Sequence, residues 1–218
     1  MKKSRFISIV LVMVFLIIGA GYAYWTDTVT FGTTVKTGNV DIAFESDPQM
    51  EDLDEYVETK VTAIDNNNVN IKIDKLYPGG GDGVSFRLVN SGTIPVVFDN
   101  VNVSTINDDK SMISNNVLTF SVELCKVKNN GEYINPFKNS PILYNLDQVC
   151  NLINYRLRNW NGQNNPLILN PGEALEIRNP EALQAGYFVS MSPNAGDQYE
   201  NATLSFNLNF QFKQWNAQ

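Results

Sequence analysis

The chain has no histidine. That absence excludes Ser/His/Asp triads, Cys/His nucleophile pairs and the zinc-hydrolase motif built on two histidines one helical turn apart. Only two cysteines occur, Cys125 and Cys150, at a spacing that matches no zinc or redox motif. A phosphate loop is missing as well. The "GGGDG" of residues 79–83 lacks a following Lys-Ser/Thr and lies between strand-like runs, where a phosphate loop needs a strand and a helix. Basic residues are few, 16 against 23 acidic ones, for a net charge of −7. An acidic surface disfavours nucleic acid and anionic lipid as partners. An all-carboxylate centre is the catalytic route left, and no two facing carboxylates are singled out. No catalytic, cofactor or metal residue is assigned, and the chain is read as a non-enzyme.

What is present begins with Lys2, Lys3 and Arg5, followed by an almost wholly apolar run from Phe6 to Ala20. Gly21-Tyr22-Ala23 then sets small residues at the two positions a signal peptidase reads. This is the plan of a secretory signal, residues 1–23, cleaved between Ala23 and Tyr24. The competing reading is an uncleaved anchor, because no charge occurs from Phe6 to Thr26 and that length spans a bilayer. The short apolar core and well-placed small residues favour cleavage. The first 23 residues contain three basic and no acidic side chains, so their removal takes the net charge from −7 to −10. The expected product is one secreted domain, residues 24–218, large enough to bury its own core. Contact with membrane is expected only through the uncleaved signal.

The dominant pattern in that domain has period two. Leu204, Phe206, Leu208, Phe210 and Phe212 alternate with Ser205, Asn207, Asn209, Gln211 and Lys213. Such a strand buries one face and wets the other. Shorter runs of the same kind are Val40/Ile42/Phe44, Val69/Ile71/Ile73, Val84/Phe86/Leu88, Ile94/Val96/Phe98, Leu118/Phe120/Val122/Leu124 and Tyr187/Val189/Met191. Turn residues separate them at 77–83, 90–92 and 170–172. Many short alternating strands with Gly/Pro/Asn turns predict an all-β fold, an antiparallel β-sandwich. "LYPG" at 76–79 and "LNPG" at 169–172 echo each other as turns that launch strands.

One segment has a different period. Leu146, Val149, Cys150, Ile153 and Leu157 form a helical stripe, so residues 145–160 predict a small helical insertion with Asn145 or Asp147 at its cap. Pro180 predicts a second, shorter helical turn. The acidic run from Glu45 to Glu58 reads as a solvated loop in preference to a calcium site, since it lacks the glycine and ligand spacing of a calcium loop. Alternation places Cys125 on the wetter face of its strand. Export permits a Cys125–Cys150 disulfide, and the sequence leaves bridge and free thiols equally open.

Three stretches taken in order resemble the TasA/camelysin (CalY) family of secreted Gram-positive proteins. They are "GYAYWTDTVTFGTTVKTGNVDIAF" at 21–44, "KLYPGGGDGVSFRLVNSGTIPVVFDNVNV" at 75–103 and the closing "LSFNLNFQFKQWNAQ" at 204–218. The likeness covers roughly residues 15–103 and 200–218, and residues 104–199 have no counterpart in it. The resemblance implies a jelly-roll-like sandwich, processing by a signal peptidase of SipW type, and polymerisation into extracellular biofilm-matrix fibres by donor-strand exchange. It also implies self-association as the main partnership, with other matrix proteins as further candidates. Some members are described as metalloproteases, a label that a chain without histidine does not support.

The residues themselves are compatible with such assembly. After cleavage the chain starts at Tyr24, with Trp25, Val29 and Phe31 on one face, Asp27 interrupting them, and Thr26, Thr28 and Thr30 on the other. Residues 24–37 are thus a donor-strand candidate, with Tyr24, Trp25, Val29 and Phe31 as its self-assembly residues. The plainer alternative is a first strand paired within its own domain. Two further readings of the whole chain are a monomeric surface binding module using loops near 104–116 and 129–141, and a camelysin-like protease.

Overall fold

The computed structural model describes residues 2–24, 38–46, 53–137, 139–180 and 186–216. The chain divides into two units, residues 1–37 and 38–218. The first contains helix α1, Lys2–Tyr24. Its apolar side chains from Phe6 to Ile18 are exposed. No helix among the described residues is long and apolar enough to cross a membrane.

The second unit is built from strands β1 (Ile42–Ser46), β2 (Glu58–Ala63), β3 (Asn68–Leu76), β4 (Gly81–Asp82), β5 (Ser85–Asn90) and β6 (Val96–Asp108). After a short 3₁₀ turn come β7 (Leu118–Phe120), β8 (Glu123–Val127) and β9 (Tyr133–Ile134). Helix α2 (Leu146–Arg158) follows, then β10 (Ile168–Leu169), β11 (Ala174–Arg178), β12 (Val189–Met191) and β13 (Ala202–Gln214). One sheet has the order β1-β5-β11-β8-β9, the facing sheet β10-β6-β13-β3-β2, and a small third sheet β4-β12-β7. All pairings are antiparallel. The fold is the expected all-β, antiparallel sandwich with a small helical insertion.

The closing strand behaves as its alternation predicts. Leu204, Phe206, Leu208 and Phe210 are fully buried. Phe210 meets Phe86 of the facing sheet edge-on at 6.3 Å, and Phe206 stacks on Phe188 at 6.4 Å. On the wet face Asn207 lies opposite Asn70, and Asn209 opposite Asn68 and Asn102. The two "L-x-P-G" turns both launch strands, and both need their glycine, because Gly79 has φ +88° and Gly172 φ +82°. Asn90, wholly buried at the end of β5, joins the sheets by donating to the carbonyls of Ile94 and Leu169, each at 2.9 Å.

α2 begins where its cap predicts. Asn145 is extended (φ −155°), and its side chain accepts the Gln148 N–H at 2.9 Å. Val149, Ile153 and Leu157 sink into the core. The helical turn expected from Pro180 falls on residues 181–185, outside the described residues.

The Leu118–Leu124 run is corrected. It is two strands in two sheets, broken at Ser121, whose N–H donates to Phe188 O at 2.8 Å. Beyond that break Leu124 still faces the core and Cys125 the outer side, yet Cys125 is buried, 1% exposed, instead of wet. The reason is a covered outer surface. Cys125 lies opposite Glu176, itself 2% exposed, beneath a layer of paired charges.

Candidate functional site

The predicted cleavage pair, Ala23 and Tyr24, falls on the last two residues of α1. Of the donor-strand residues, Trp25, Val29 and Phe31 lie outside the described residues. What the structure does describe is the set of sheet edges such a segment could meet.

At one flank β1 and β2 lie side by side, and at the other β9 and β10 close their sheets. An unpaired edge is a template for another strand unless it is short, bulged, charged or covered. β9 and β10 have two residues each. β6 carries bulge irregularities in its pairing with β13, near Asp99 and Ile106. Between them α2 covers its edge. Asn154 Oδ1 accepts the Val101 N–H at 2.9 Å while Asn154 Nδ2 donates to Val101 O at 2.8 Å. One amide side chain thereby does for β6 what a neighbouring strand would do. β2 is open but shows exposed Glu58 and Lys60.

β1 differs. Its five residues pair with β5 in unbroken register from Ile42↔Asn90 to Ser46↔Phe86. It contains no lysine, proline or bulge, and among the described residues no strand pairs with its other side. Its Phe44 stacks on Phe86 at 6.0 Å yet remains half-buried at the margin of the core. The sheet ends there with an aromatic only partly covered.

The outer face of the same sheet carries a cluster of four paired charges. Arg87 Nε donates to Glu176 Oε2 at 2.5 Å, Arg178 Nη1 lies 3.7 Å from Glu176 Oε1, and Arg178 Nε donates to Glu123 Oε2 at 3.2 Å. Tyr133 from β9 lies across them, accepting from Arg87 Nη2 at 2.6 Å with both guanidinium groups over its ring. Every charge here has a partner of opposite sign. The arrangement is a structural brace that fastens β9 to the sheet, and it also seals Cys125.

The disulfide that export would permit is not formed between Cys125 and Cys150. Cys125 belongs to β8. Cys150 sits on α2, where its Sγ donates to Val101 O of the facing sheet at 3.1 Å. Burial pushes the Cys150 thiol up, away from the reactive thiolate.

The acidic stretch lies partly outside the described residues, at 47–52. Asp54, which is described, is committed to the protein. It accepts the Tyr56 N–H at 3.0 Å and the Tyr77 hydroxyl at 2.8 Å. That hydrogen bond, with burial, pushes the Tyr77 phenol up to about 12. Among the described residues no group of three or more Cys, Asp or Glu side chains is placed to hold a metal ion.

Sequence reasoning did not anticipate the brace. Arg87, Glu123, Glu176 and Arg178 are scattered through three strands, and only the register of β5, β11 and β8 aligns them. No family model, curated protein or solved structure matches the chain.

Proposed function

We propose that the chain is an exported structural subunit that polymerises head to tail, the segment after the signal completing the sheet of the next copy at β1. The observation that carries this reading is the β1 edge: unbulged, without a cation, and ending on the half-buried Phe44. An alternating strand bearing Trp25, Val29 and Phe31 has the side chains to cover that aromatic and the main chain to extend the ladder. Each of those side chains contributes about 1.5–3 kcal/mol when buried. Ordering the backbone costs about 1–2 kcal/mol per residue, so one docked arm is a weak joint. Repetition strengthens it, because each interior subunit donates one strand and accepts another. A head-to-tail contact that does not close produces a filament.

The resemblance to TasA/camelysin proteins supports the same reading, with a SipW-type signal peptidase as the processing partner and the biofilm matrix as the place of assembly. While residues 1–23 remain attached, the arm is held next to the signal with no linker between them. Cleavage is then the release step.

Electron microscopy of the processed protein tests this. Filaments are expected from residues 24–218. Deletion of 24–31 should abolish them and leave a folded monomer, and a peptide of residues 24–33 should bind that monomer. Filaments that persist without the arm would overturn the reading, as would a trimmed domain that no longer folds. Residues 1–23 found still attached in fibre-derived protein would remove the release step. A monomeric binding module is the second reading, favoured by a cavity at the opposite flank. No described residue supports a protease.

A further inference from the structure

Beside β9 and β10, away from the β1 edge, lies a cavity of about 360 Å³. Six segments meet there, including Pro95 just before β6 and Ile134 of β9. Trp160 follows α2, Ile168 and Asn170 come from β10 and the turn after it, Lys126 from β8, and Trp215 from the end of β13. Its volume is at the low end of the roughly 300–1,000 Å³ typical of small-molecule sites.

The walls are set before any ligand arrives. Trp160 is 4% exposed, and its ring meets Phe137 edge-on at 5.5 Å. Trp215 is the opposite case. Its backbone is tied down, the N–H donating to Pro95 O at 3.2 Å, yet its side chain leaves the residue 55% exposed. An indole in water on an ordered backbone is a flat apolar plate that the core does not use. The floor is charged but neutral overall. Lys126 Nζ lies 2.6 Å from Glu173 Oε2 and donates to Ile168 O at 2.8 Å. At the mouth, the side-chain amides of Asn161 and Asn170 have no hydrogen-bond partner among the described residues. Each offers two N–H donors and a carbonyl acceptor.

These features select a chemistry. A phosphate or sulfate ligand needs an unpaired cation, and Lys126 is paired with Glu173 on a chain of net charge −7. A lipid tail gains nothing from two amides. A sugar ring has a flat C–H face for an indole and hydroxyls that both donate and accept around its rim. We propose that this cavity binds neutral sugar units of a glycan, with Trp215 stacked on the ring and Asn161 and Asn170 bonded to its hydroxyls. The site does not depend on strand exchange, so it stands or falls separately from the assembly reading.

The test is a titration of the full chain with cellotetraose, chitotetraose and mannotetraose, followed by tryptophan fluorescence, with a heparin tetrasaccharide as the charged comparison. Two of the three tryptophans line the cavity. A saturable change is expected with at least one neutral sugar, weakened about tenfold or more in Trp215→Ala. Asn161→Ala, at an exposed position, should weaken binding in the same direction and provides a second variant if Trp215→Ala loses its fold. Three results would each overturn the proposal: no saturable response to any neutral sugar, full binding retained by both variants, or tighter binding of the heparin fragment than of every neutral sugar.

Discussion

The two flanks of the sandwich solve the same problem differently. At the β9/β10 flank, α2 buries Val149, Ile153 and Leu157, and Asn154 takes both main-chain groups of Val101. The Lys126–Glu173 pair and Trp160 close what remains. At the β1/β2 flank there is no helix among the described residues. β2 shows exposed charges of both signs, whereas β1 carries exposed Glu45 opposite Arg87 of β5 and, among the described residues, has no bulge and no covering strand along its free side. A sheet edge needs some device against unwanted pairing. The contrast is between an edge visibly covered by a helix and one that, among the described residues, has no covering helix or strand.

That contrast can be broken or sharpened by substitution. The largest effect is expected at the charge brace on the middle strands of the first sheet, reached by Tyr133. Glu176→Ala leaves two arginines facing a buried gap and should cost about 3–5 kcal/mol by urea denaturation. Glu58→Ala, on the exposed β2 with Lys75 as its partner, should cost no more than about 1 kcal/mol. Equal losses at the two positions would contradict the buried bracing role given to Glu176.

A smaller loss is expected at Asn154→Ala, about 1–3 kcal/mol, because the Val101 N–H and carbonyl lose their partner. Self-association of this variant through a newly bared β6 would sharpen the comparison. An unchanged melting temperature and unchanged oligomeric state would contradict the covering role given to α2.

Phe44→Ala should destabilise the monomer less still, about 1–2 kcal/mol for a half-buried ring. The informative readout is hydrogen exchange. Amides of β1 should exchange faster than those of β11 in the monomer and slow markedly in assemblies. Protection of β1 that is already complete in the monomer would argue that this flank is closed.

The smallest effect concerns alkaline pH. The folded Tyr77 phenol holds its proton more tightly than the ordinary value of 10.0, with a pKa of about 12. A raised pKa on this acid means that the folded state binds more protons in that interval. Its contribution is therefore complete below about pH 10 and is lost as pH rises toward 12. Asp54→Asn should flatten that part of the stability profile and leave neutral pH little affected through this linkage. An identical alkaline profile in the two proteins would remove the Asp54–Tyr77 hydrogen bond as its cause.

Legibility in the sequence followed exposure. β13 and β3 each bury one face and wet the other, so their period of two is plain. α2 was readable from its stripe and its Asn145 cap because it too has a wet side. β11 was missed for the opposite reason. Ala174, Leu175, Glu176 and Ile177 are all buried, so no alternation marks the strand. The break at Ser121 and Val122, where the chain passes from the small sheet into the large one, was missed because the alternation from Leu118 to Leu124 runs on through it. Cys125 was misread because charged side chains far apart in the sequence cover the outer face of its strand. The end cavity was invisible, since Lys126, Trp160, Asn170 and Trp215 are distant in the chain and share no motif.

Composition and periodicity alone determined the all-β class, the helical insertion, the turn-launched strands and the absence of histidine chemistry. These are local properties, carried by hydrophobic alternation and by the conformational limits of Pro and Gly. Tertiary structure alone decided that Glu176 is paired beneath Tyr133, that the two thiols form no bridge, and that β1, among the described residues, has no strand along its outer side. Those outcomes depend on strand register and sheet order, which bring together side chains far apart in the chain.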